Sequence, residues 1–231
     1  MLKVRGLTIS FKIAEGKITP VSDMSFDIAR GETIGVVGRS GSGKTVFSTA
    51  LIGMVEQPGM IESGSISFTG RDGKTLELID LPENKWRDIR GREISMIFQD
   101  SISALNPSRT IKSQMLEAIR LHMSKDRSEC VQLSINMLKQ VMFDDPERIL
   151  RAYPFELSGG MCQRVMIAMG LLHNPSLLIA DEPTTALDIK TQAEIIDLLI
   201  QLREHLNIAI IFISHDMKLV KKISDRVVVM K

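Results

Sequence analysis

Two cysteines, Cys130 and Cys162, are all that the 231 residues contain. They are too few for a disulfide framework and fit a reduced cytosolic compartment. No sign of charge dominates either: 29 basic residues stand against 28 acidic ones, so no field favours nucleic acid over other partners. Long apolar runs are missing. The longest, such as Ile208 to Ile213, fall far short of the roughly 20 residues of a membrane span. If the protein works at a membrane, other subunits must cross it. Lys3 and Arg5 open the chain with no apolar stretch behind them, so no secretory leader is expected there. Internal repeats and low-complexity segments are absent. His122, His173, Cys130 and Cys162 show no metal-ligand spacing and read as surface histidines and buried thiols. The length fits one large domain, or one domain with a subdomain.

Against these absences stands one dense motif, Gly38-Arg39-Ser40-Gly41-Ser42-Gly43-Lys44-Thr45. It follows the apolar run Thr33 to Val37, precedes Val46 to Ile52, and fits G-x-x-x-x-G-K-[ST] at every fixed position. The glycines let successive backbone N–H groups curl around a phosphate chain, and the helix that follows points its positive end at the same anion. Lys44 would reach the β- and γ-phosphates, and the Thr45 hydroxyl would ligate Mg²⁺. A nucleoside triphosphate is the expected ligand.

Alternation of apolar and polar residues marks half-buried strands over Leu2 to Phe11 and Val21 to Ile28, with a turn at Glu15-Gly16-Lys17. Past the glycine-rich loop come a short strand, Ser65 to Thr69, a polar stretch from Arg71 to Arg92, and a buried strand, Ile94 to Phe98, ending at Gln99-Asp100. Helical periodicity then runs from Ile111 to about Gln140, and again from about Gly160 to Leu172. Strands at Leu177 to Ala180, Ile208 to Ile213 and Arg226 to Met230 alternate with helices at Ile189 to His205 and Met217 to Ile223. Strands separated by helices predict a mainly parallel sheet, interrupted by the mid-chain helical block.

Leu177 to Ala180 ends in two carboxylates, Asp181 and Glu182. In a parallel sheet, ligands sit beyond the carboxyl ends of the strands. One carboxylate can hold Mg²⁺ there, and the next can polarise the water that attacks a γ-phosphate. In Leu157-Ser158-Gly159-Gly160-Met161-Cys162-Gln163-Arg164 a serine and two glycines open a helix, a second anion cradle. One nucleotide rarely needs two cradles in one chain. A head-to-tail pair, each chain placing its second cradle over the partner's triphosphate, accounts for both.

With these motifs the chain resembles the ATP-binding-cassette (ABC) ATPases over essentially its whole length. Gly38 to Thr45 is similar to the Walker A motif, Leu177 to Asp181 to Walker B, and Glu182 stands at the catalytic base. Gln99 matches the Q-loop, Ser158-Gly159-Gly160 the signature, Ala186-Leu187-Asp188 the D-loop, and His215 the switch histidine. The resemblance implies an α/β fold: a P-loop NTPase core with a mainly parallel sheet, an N-terminal antiparallel β subdomain and an inserted helical subdomain. It implies a single ABC domain, its RecA-like core at about 1–99 and 174–231 and its helical subdomain at about 100–173. By the same resemblance Gly38, Ser40, Gly41, Ser42, Gly43 and Lys44 grip the phosphates, and Thr45, Gln99 and Asp181 surround Mg²⁺. Glu182 orients water and His215 contacts the γ-phosphate. Ser158, Gly159 and Gly160 close over ATP on the opposite subunit, and Asp188 links the two sites. Phe11, ending the first strand, is the choice for stacking on adenine. Met161 departs from the usual glutamine of the signature, which leaves out a polar edge contact but not the backbone cradle.

Ser158 to Met169, Tyr153-Pro154-Phe155-Glu156, and Ile179 to Asp188 are similar to the oligopeptide/dipeptide/nickel importer group. So is the Gln99-Asp100 segment with Ala104-Leu105-Asn106-Pro107. This implies an ATP-hydrolysing subunit of an importer for peptides or a related solute, peripheral on the cytoplasmic face of the inner membrane. A nickel or metal-chelate importer is the alternative. Implied partners are a second ATPase, paralogous rather than identical, two permeases that dock on the helical block, and indirectly a solute-binding protein; nucleic acid is not among them. A soluble ABC ATPase of DNA repair or translation fits less well, because no coiled coil separates Lys44 from Asp181 and each motif occurs once. A simple P-loop kinase leaves Ser158 to Gly160 unexplained, and a purely regulatory module has no use for Glu182 and His215. Members of the group continue past the strand that ends at Met230 and Lys231, so a shortened natural form or a truncated product is expected.

Overall fold

A computed structural model describes residues 1–14, 16–99 and 104–230. Glu15 of the first turn, Asp100 after Gln99, the start of the helical block at 100–103, and Lys231 lie outside them.

The amino-terminal strands β1 (Leu2–Ile13) and β2 (Gly16–Ile28) form an antiparallel hairpin. Leu2, Val4, Leu7 and Ile9 are fully buried, so the alternation slips by one residue between Val4 and Leu7. A register irregularity at that point absorbs the slip, with Gly6 at φ 56°. With β4 (Gly59–Thr69) and β5 (Thr75–Glu77) the hairpin makes a four-stranded sheet in the order β2-β1-β4-β5. A second, five-stranded sheet contains β3 (Thr33–Gly38), β6 (Ile94–Ile97), β7 (Leu177–Asp181), β8 (Ala209–Ser214) and β9 (Arg226–Met230). Its order is β6-β7-β8-β3-β9, parallel throughout. β7 and β8 are buried at every position, as covering both faces of a parallel sheet requires.

The two faces feed two cores. Ile34, Val36, Leu177, Ile179, Ile211 and Ile213 point toward the antiparallel sheet and α1 (Lys44–Ala50). Val37, Leu178, Ala180, Ile210 and Phe212 point the other way. There they meet α6 (Gly159–Leu171), α7 (Ile189–Leu206) and α8 (Met217–Ile223). That second core continues into the mid-chain helices, where Ile111, Met115, Leu138 and Ile149 are buried.

Three readings of the sequence are corrected. The periodicity from Ile111 to Gln140 is two helices, α3 (Ile111–His122) and α4 (Arg127–Gln140). Asp126 accepts from the Glu129 N–H while the Glu129 carboxylate accepts from the Asp126 N–H, so a capping box starts a new helix there. The polar stretch from Arg71 to Arg92 holds β5 and α2 (Glu83–Ile89), which buries Trp86 and Ile89 at a spacing of one helical turn. Trp86 packs so close to Gly53 that a Cβ there would sit 2.4 Å from the indole. Of the two expected surface histidines, His122 is half-buried and lines a surface groove, whereas His173 is not at the surface. His173 is 8% exposed, its Nε2 pairs with the Ala118 carbonyl at 3.0 Å, and His122 lies edge-on to it at 4.9 Å. Both thiols are buried as expected. The remaining helix of the block is α5 (Pro146–Arg151).

Parallel pairing places Asp181 opposite Ile213 and Val37 opposite Ser214. The carboxyl ends of β7, β8 and β3, three neighbours in the sheet, therefore deliver Asp181-Glu182, His215 and the loop after Gly38 to one edge. The fold makes the site by register.

Candidate functional site

Gly38 to Gly43 joins β3 to α1 through a loop that only glycine tolerates at two points. Gly43 has φ 84°, and a Cβ on it would lie 2.3 Å from the Pro20 carbonyl oxygen. A Cβ on Gly38 would lie 2.3 Å from Ser42 Oγ and 2.8 Å from the Met230 carbonyl oxygen. The loop is thus wedged between β2 and β9, and its Ser42 N–H donates back to the Arg39 carbonyl at 3.1 Å. Lys44 is 4% exposed. Its Nζ donates to the Gly38 and Arg39 carbonyls at 3.0 and 3.1 Å and lies 3.4 Å from Glu182 Oε1. The ammonium is parked on its own loop and the catalytic carboxylate candidate.

Asp181 is 1% exposed. Oδ2 accepts from Ser48 Oγ at 2.9 Å, while Oδ1 is buried with no partner among the described residues. Burial raises its carboxyl above the ordinary value, against the hydroxyls of Ser48 and Thr45. A buried, half-satisfied carboxylate beside a threonine hydroxyl is a donor set for a hard oxygen-seeking divalent cation. A carboxyl more easily protonated in the folded than the unfolded chain detracts from stability once pH exceeds its unfolded value. Asp181→Asn is therefore expected to raise the melting temperature of nucleotide-free protein at neutral pH, by about 2–4 °C per kcal/mol recovered. It should also remove cation-dependent hydrolysis. A lower melting temperature in calorimetry rejects this account of Asp181.

Glu182 stands at φ 47°, its N–H donating to the Ile213 carbonyl at 2.9 Å. Oε2 accepts from Thr185 Oγ1 at 2.9 Å and faces His215 Nδ1 at 3.2 Å. Burial alone would raise its carboxyl, but the Thr185 and His215 contacts and the Lys44 charge outweigh it and hold the carboxyl below the ordinary value. Two adjacent carboxylates thus diverge: Asp181 resists ionisation and Glu182 favours it.

Lys44, Glu182, Thr185 and His215 line a cleft of about 700 Å³ with Phe11, Ser40, Gly41, Gly43, Thr45 and Gln99, whereas Gly38 and the buried Asp181 are not part of its lining. Ser42, whose buried Oγ has no partner among the described residues, turns with the same loop. Four further cleft residues were not read from the sequence: Ile18, Pro20, Val46 and Thr185. Ile18 is paired with Phe11 across the hairpin and is half exposed, giving the Phe11 wall a second apolar side chain. The tight Ile13–Gly16 pairing fixes that register, so Ile18 was legible once the hairpin was counted. No signal pointed to Thr185.

Ser158, Gly159, Gly160 and Asp188 do not line the cleft. Ser158 caps α6, accepting from the Met161 N–H at 3.3 Å. Asp188 caps α7, accepting from the N–H and hydroxyl of Thr191 at 3.1 and 2.7 Å. A Cβ on Gly160 would meet Thr191 Cγ2 at 2.5 Å. The two helix starts therefore lock together through Thr191, as one exposed surface apart from the cleft. Among the described residues no cluster of three or more His, Cys, Asp or Glu side chains could hold a metal.

Comparison with known proteins agrees with this geometry. The profile of the ABC transporter family matches residues 21–185. The oligopeptide transport ATP-binding protein OppD of Escherichia coli (strain K12) is 44% identical over 230 residues, covering 100% of this chain and 66% of that protein. The dipeptide transport ATP-binding protein DppD of the same strain is 42% identical, with 100% and 69% covered. The glutathione import ATP-binding protein GsiA of Escherichia coli O1:K1 / APEC is 43% identical, with 100% and 37% covered. The chain thus spans about two thirds of the length of the first two, and less of the third. Among solved structures, a dimeric post-hydrolysis ATP-binding cassette bound to ADP and Pi superimposes with a TM-score of 0.85. It is 27% identical, with 100% of this chain and 94% of that one covered.

Proposed function

This chain belongs to the ABC transporter family, and on that premise we propose that it is the ATP-hydrolysing subunit of an importer for peptides or a related solute. The observation that carries the reading is the split between the two cradles. Ser40, Gly41, Gly43, Lys44, Thr45, Gln99, Glu182 and His215 line one cleft, with Asp181 buried next to Glu182, and a second serine-glycine cradle sits on a separate surface of the same chain. The relatives named for oligopeptide, dipeptide and glutathione transport support the solute class.

In this reading the loop N–H groups and Lys44 take the triphosphate. Lys44 exchanges the Gly38 and Arg39 carbonyls for phosphate oxygens, and in doing so releases Glu182. Thr45, Asp181 and Gln99 would hold Mg²⁺, which neutralises charge on the phosphates. Glu182, steadied by Thr185, orients water toward the γ-phosphate, and His215 contacts that phosphate while buttressing the carboxylate. Adenine rests on Phe11 with Ile18 beside it. Ser158 and Gly160 of the partner chain complete the site, and Asp188 joins the two halves across the interface. Catalysis is positioning plus charge neutralisation, so each site needs both chains.

The partner is a second ATPase, paralogous in this subgroup, with two permeases docked against the helical block. The chain sits peripherally on the cytoplasmic face of the inner membrane. No helix among the described residues is long and apolar enough to cross a membrane. Gln99, where the core at about 1–99 and 174–231 meets the helical subdomain at about 100–173, links nucleotide state to movement of the permeases.

The test is reconstitution. The isolated chain should bind ATP and hydrolyse it slowly, and turnover should rise at least tenfold when the second ATPase and the permeases join it in vesicles. Full turnover by the isolated monomer rejects the split-site reading.

A further inference from the structure

We propose that the chain carries a second binding surface, for the anionic phospholipid face of the membrane, along α3. Two shallow grooves of about 560 and 520 Å³ meet there. Arg109, Lys112 and Arg127 line the first, Arg87, Arg92 and Lys125 line the second, and Arg120 and Leu121 belong to both. Only Glu117 and Asp88 among the lining residues are acidic. Seven cations against two carboxylates is a strong local excess in a chain whose net charge is +1. Within the described residues only Arg109 and Lys125 of the seven are engaged in ion pairs, with Glu117 and with Glu129.

The form of the surface selects the ligand. The cations are spread over two open grooves rather than converging in one closed pocket, so they suit an array of headgroups better than a single small anion. At their junction Leu121 is 73% exposed. A bare leucine amid arginines is the pattern of an interfacial contact, the apolar side chain entering the headgroup–acyl boundary while the cations meet anionic lipid. No aromatic side chain other than His122 lines either groove, so the stacking platform of a single-stranded nucleic acid site is missing. Neither groove shares a residue with the nucleotide cleft, and neither includes Ser158 to Gly160 or Asp188. A pair formed through that surface need not cover them. The proposal rests on the importer reading, which puts the chain beside a membrane, and it gives this face of the helical block to lipid, leaving the permeases the rest of the block.

The experiment is co-sedimentation of the purified full chain with vesicles of phosphatidylcholine alone and of phosphatidylcholine with phosphatidylglycerol, at low and at molar salt. Binding is expected only to the anionic vesicles and should fall with salt. Each neutralised cation should weaken partitioning about 5-fold, so Arg92→Gln with Arg120→Gln should weaken it about 25-fold. Leu121→Ser should weaken it with the salt dependence unchanged. Nucleotide binding, measured on the same samples, should stay at the level of the parent chain and confirms that the variants fold. Equal binding to phosphatidylcholine alone, or binding to neither vesicle, overturns the proposal. So does binding to heparin or RNA without binding to vesicles. Permease-stimulated ATP hydrolysis separates the two readings. Stimulation without vesicle binding removes the lipid surface and leaves the importer standing, and vesicle binding without stimulation does the reverse.

Discussion

Glu182→Gln is expected to lower ATP turnover by on the order of 10²–10⁴-fold, the range for loss of a positioned general base, while ATP binding persists. The geometry makes both halves of this result follow from one carboxylate. Oε2 is fixed by Thr185 Oγ1 at 2.9 Å and His215 Nδ1 at 3.2 Å, and a glutamine can present an amide oxygen to the same two groups. The side chain therefore keeps its place, and φ 47° at this position demands nothing of glutamine that it does not demand of glutamate. What disappears is the ability to accept a proton from water. The Lys44–Glu182 pair at 3.4 Å disappears as well, but Lys44 retains the Gly38 and Arg39 carbonyls and is no longer restrained by an opposing charge. ATP should bind at least as tightly, and the assembled dimer should dwell longer in its closed form. Equilibrium binding of a fluorescent nucleotide and phosphate release under saturating ATP measure the two halves. Turnover near wild type would falsify the role of Glu182 as base. Lost binding with lost turnover shifts Glu182 to a structural role.

The same substitution changes acid sensitivity in a definite sense. The folded-state carboxyl of Glu182 is held below its ordinary value. Its contribution to stability is thus present above the unfolded value and is lost as pH falls through the folded one. In Glu182→Gln that part of the acid slope is absent.

The site was legible in the sequence to the extent that chemistry depends on residues adjacent in the chain. Gly38 to Thr45 carries its glycines, lysine and threonine in one octet, and Asp181-Glu182 closes an apolar strand; most of the loop and Glu182 lie on the cleft where parallel strands end, with Asp181 buried. The central strands were equally plain, because burial on both faces writes continuous apolar runs such as Ile208 to Ile213. What escaped was set by packing. Thr185 holds Glu182 only because the backbone turns at φ 47° and returns the hydroxyl to the carboxylate. α2 hid in a polar stretch because two residues, Trp86 and Ile89, supply all its burial. The division of α3 from α4 was written locally, in Asp126 and Glu129, and was masked by apolar periodicity on either side. His173 went to the interior because the end of α6 carries it against the Ala118 carbonyl, a tertiary contact without a spacing rule.

Gly160→Ala is expected to reduce hydrolysis by the assembled pair by about 10²-fold, the cost of misplacing a reacting group by about 1 Å, with ATP binding to the isolated chain unchanged. The added Cβ would stand 2.5 Å from Thr191 Cγ2. Thr191 cannot simply swing aside, because its hydroxyl and N–H both hold Asp188, at 2.7 and 3.1 Å. One methyl group therefore pushes apart the starts of α6 and α7, and moves Ser158 and Asp188 together. None of these residues lines the chain's own cleft, so the loss belongs to the site completed on the other chain. The Cβ points at Thr191 rather than outward, which makes the defect repairable: Thr191→Ser removes Cγ2 and keeps the hydroxyl that holds Asp188. The double variant Gly160→Ala/Thr191→Ser should recover most of the hydrolysis. Failure of the rescue shows that the bare glycine itself, not the spacing of two helices, forms the cradle. Loss of ATP binding in the isolated single variant places Ser158 to Gly160 in the chain's own cleft and removes the case for a shared site.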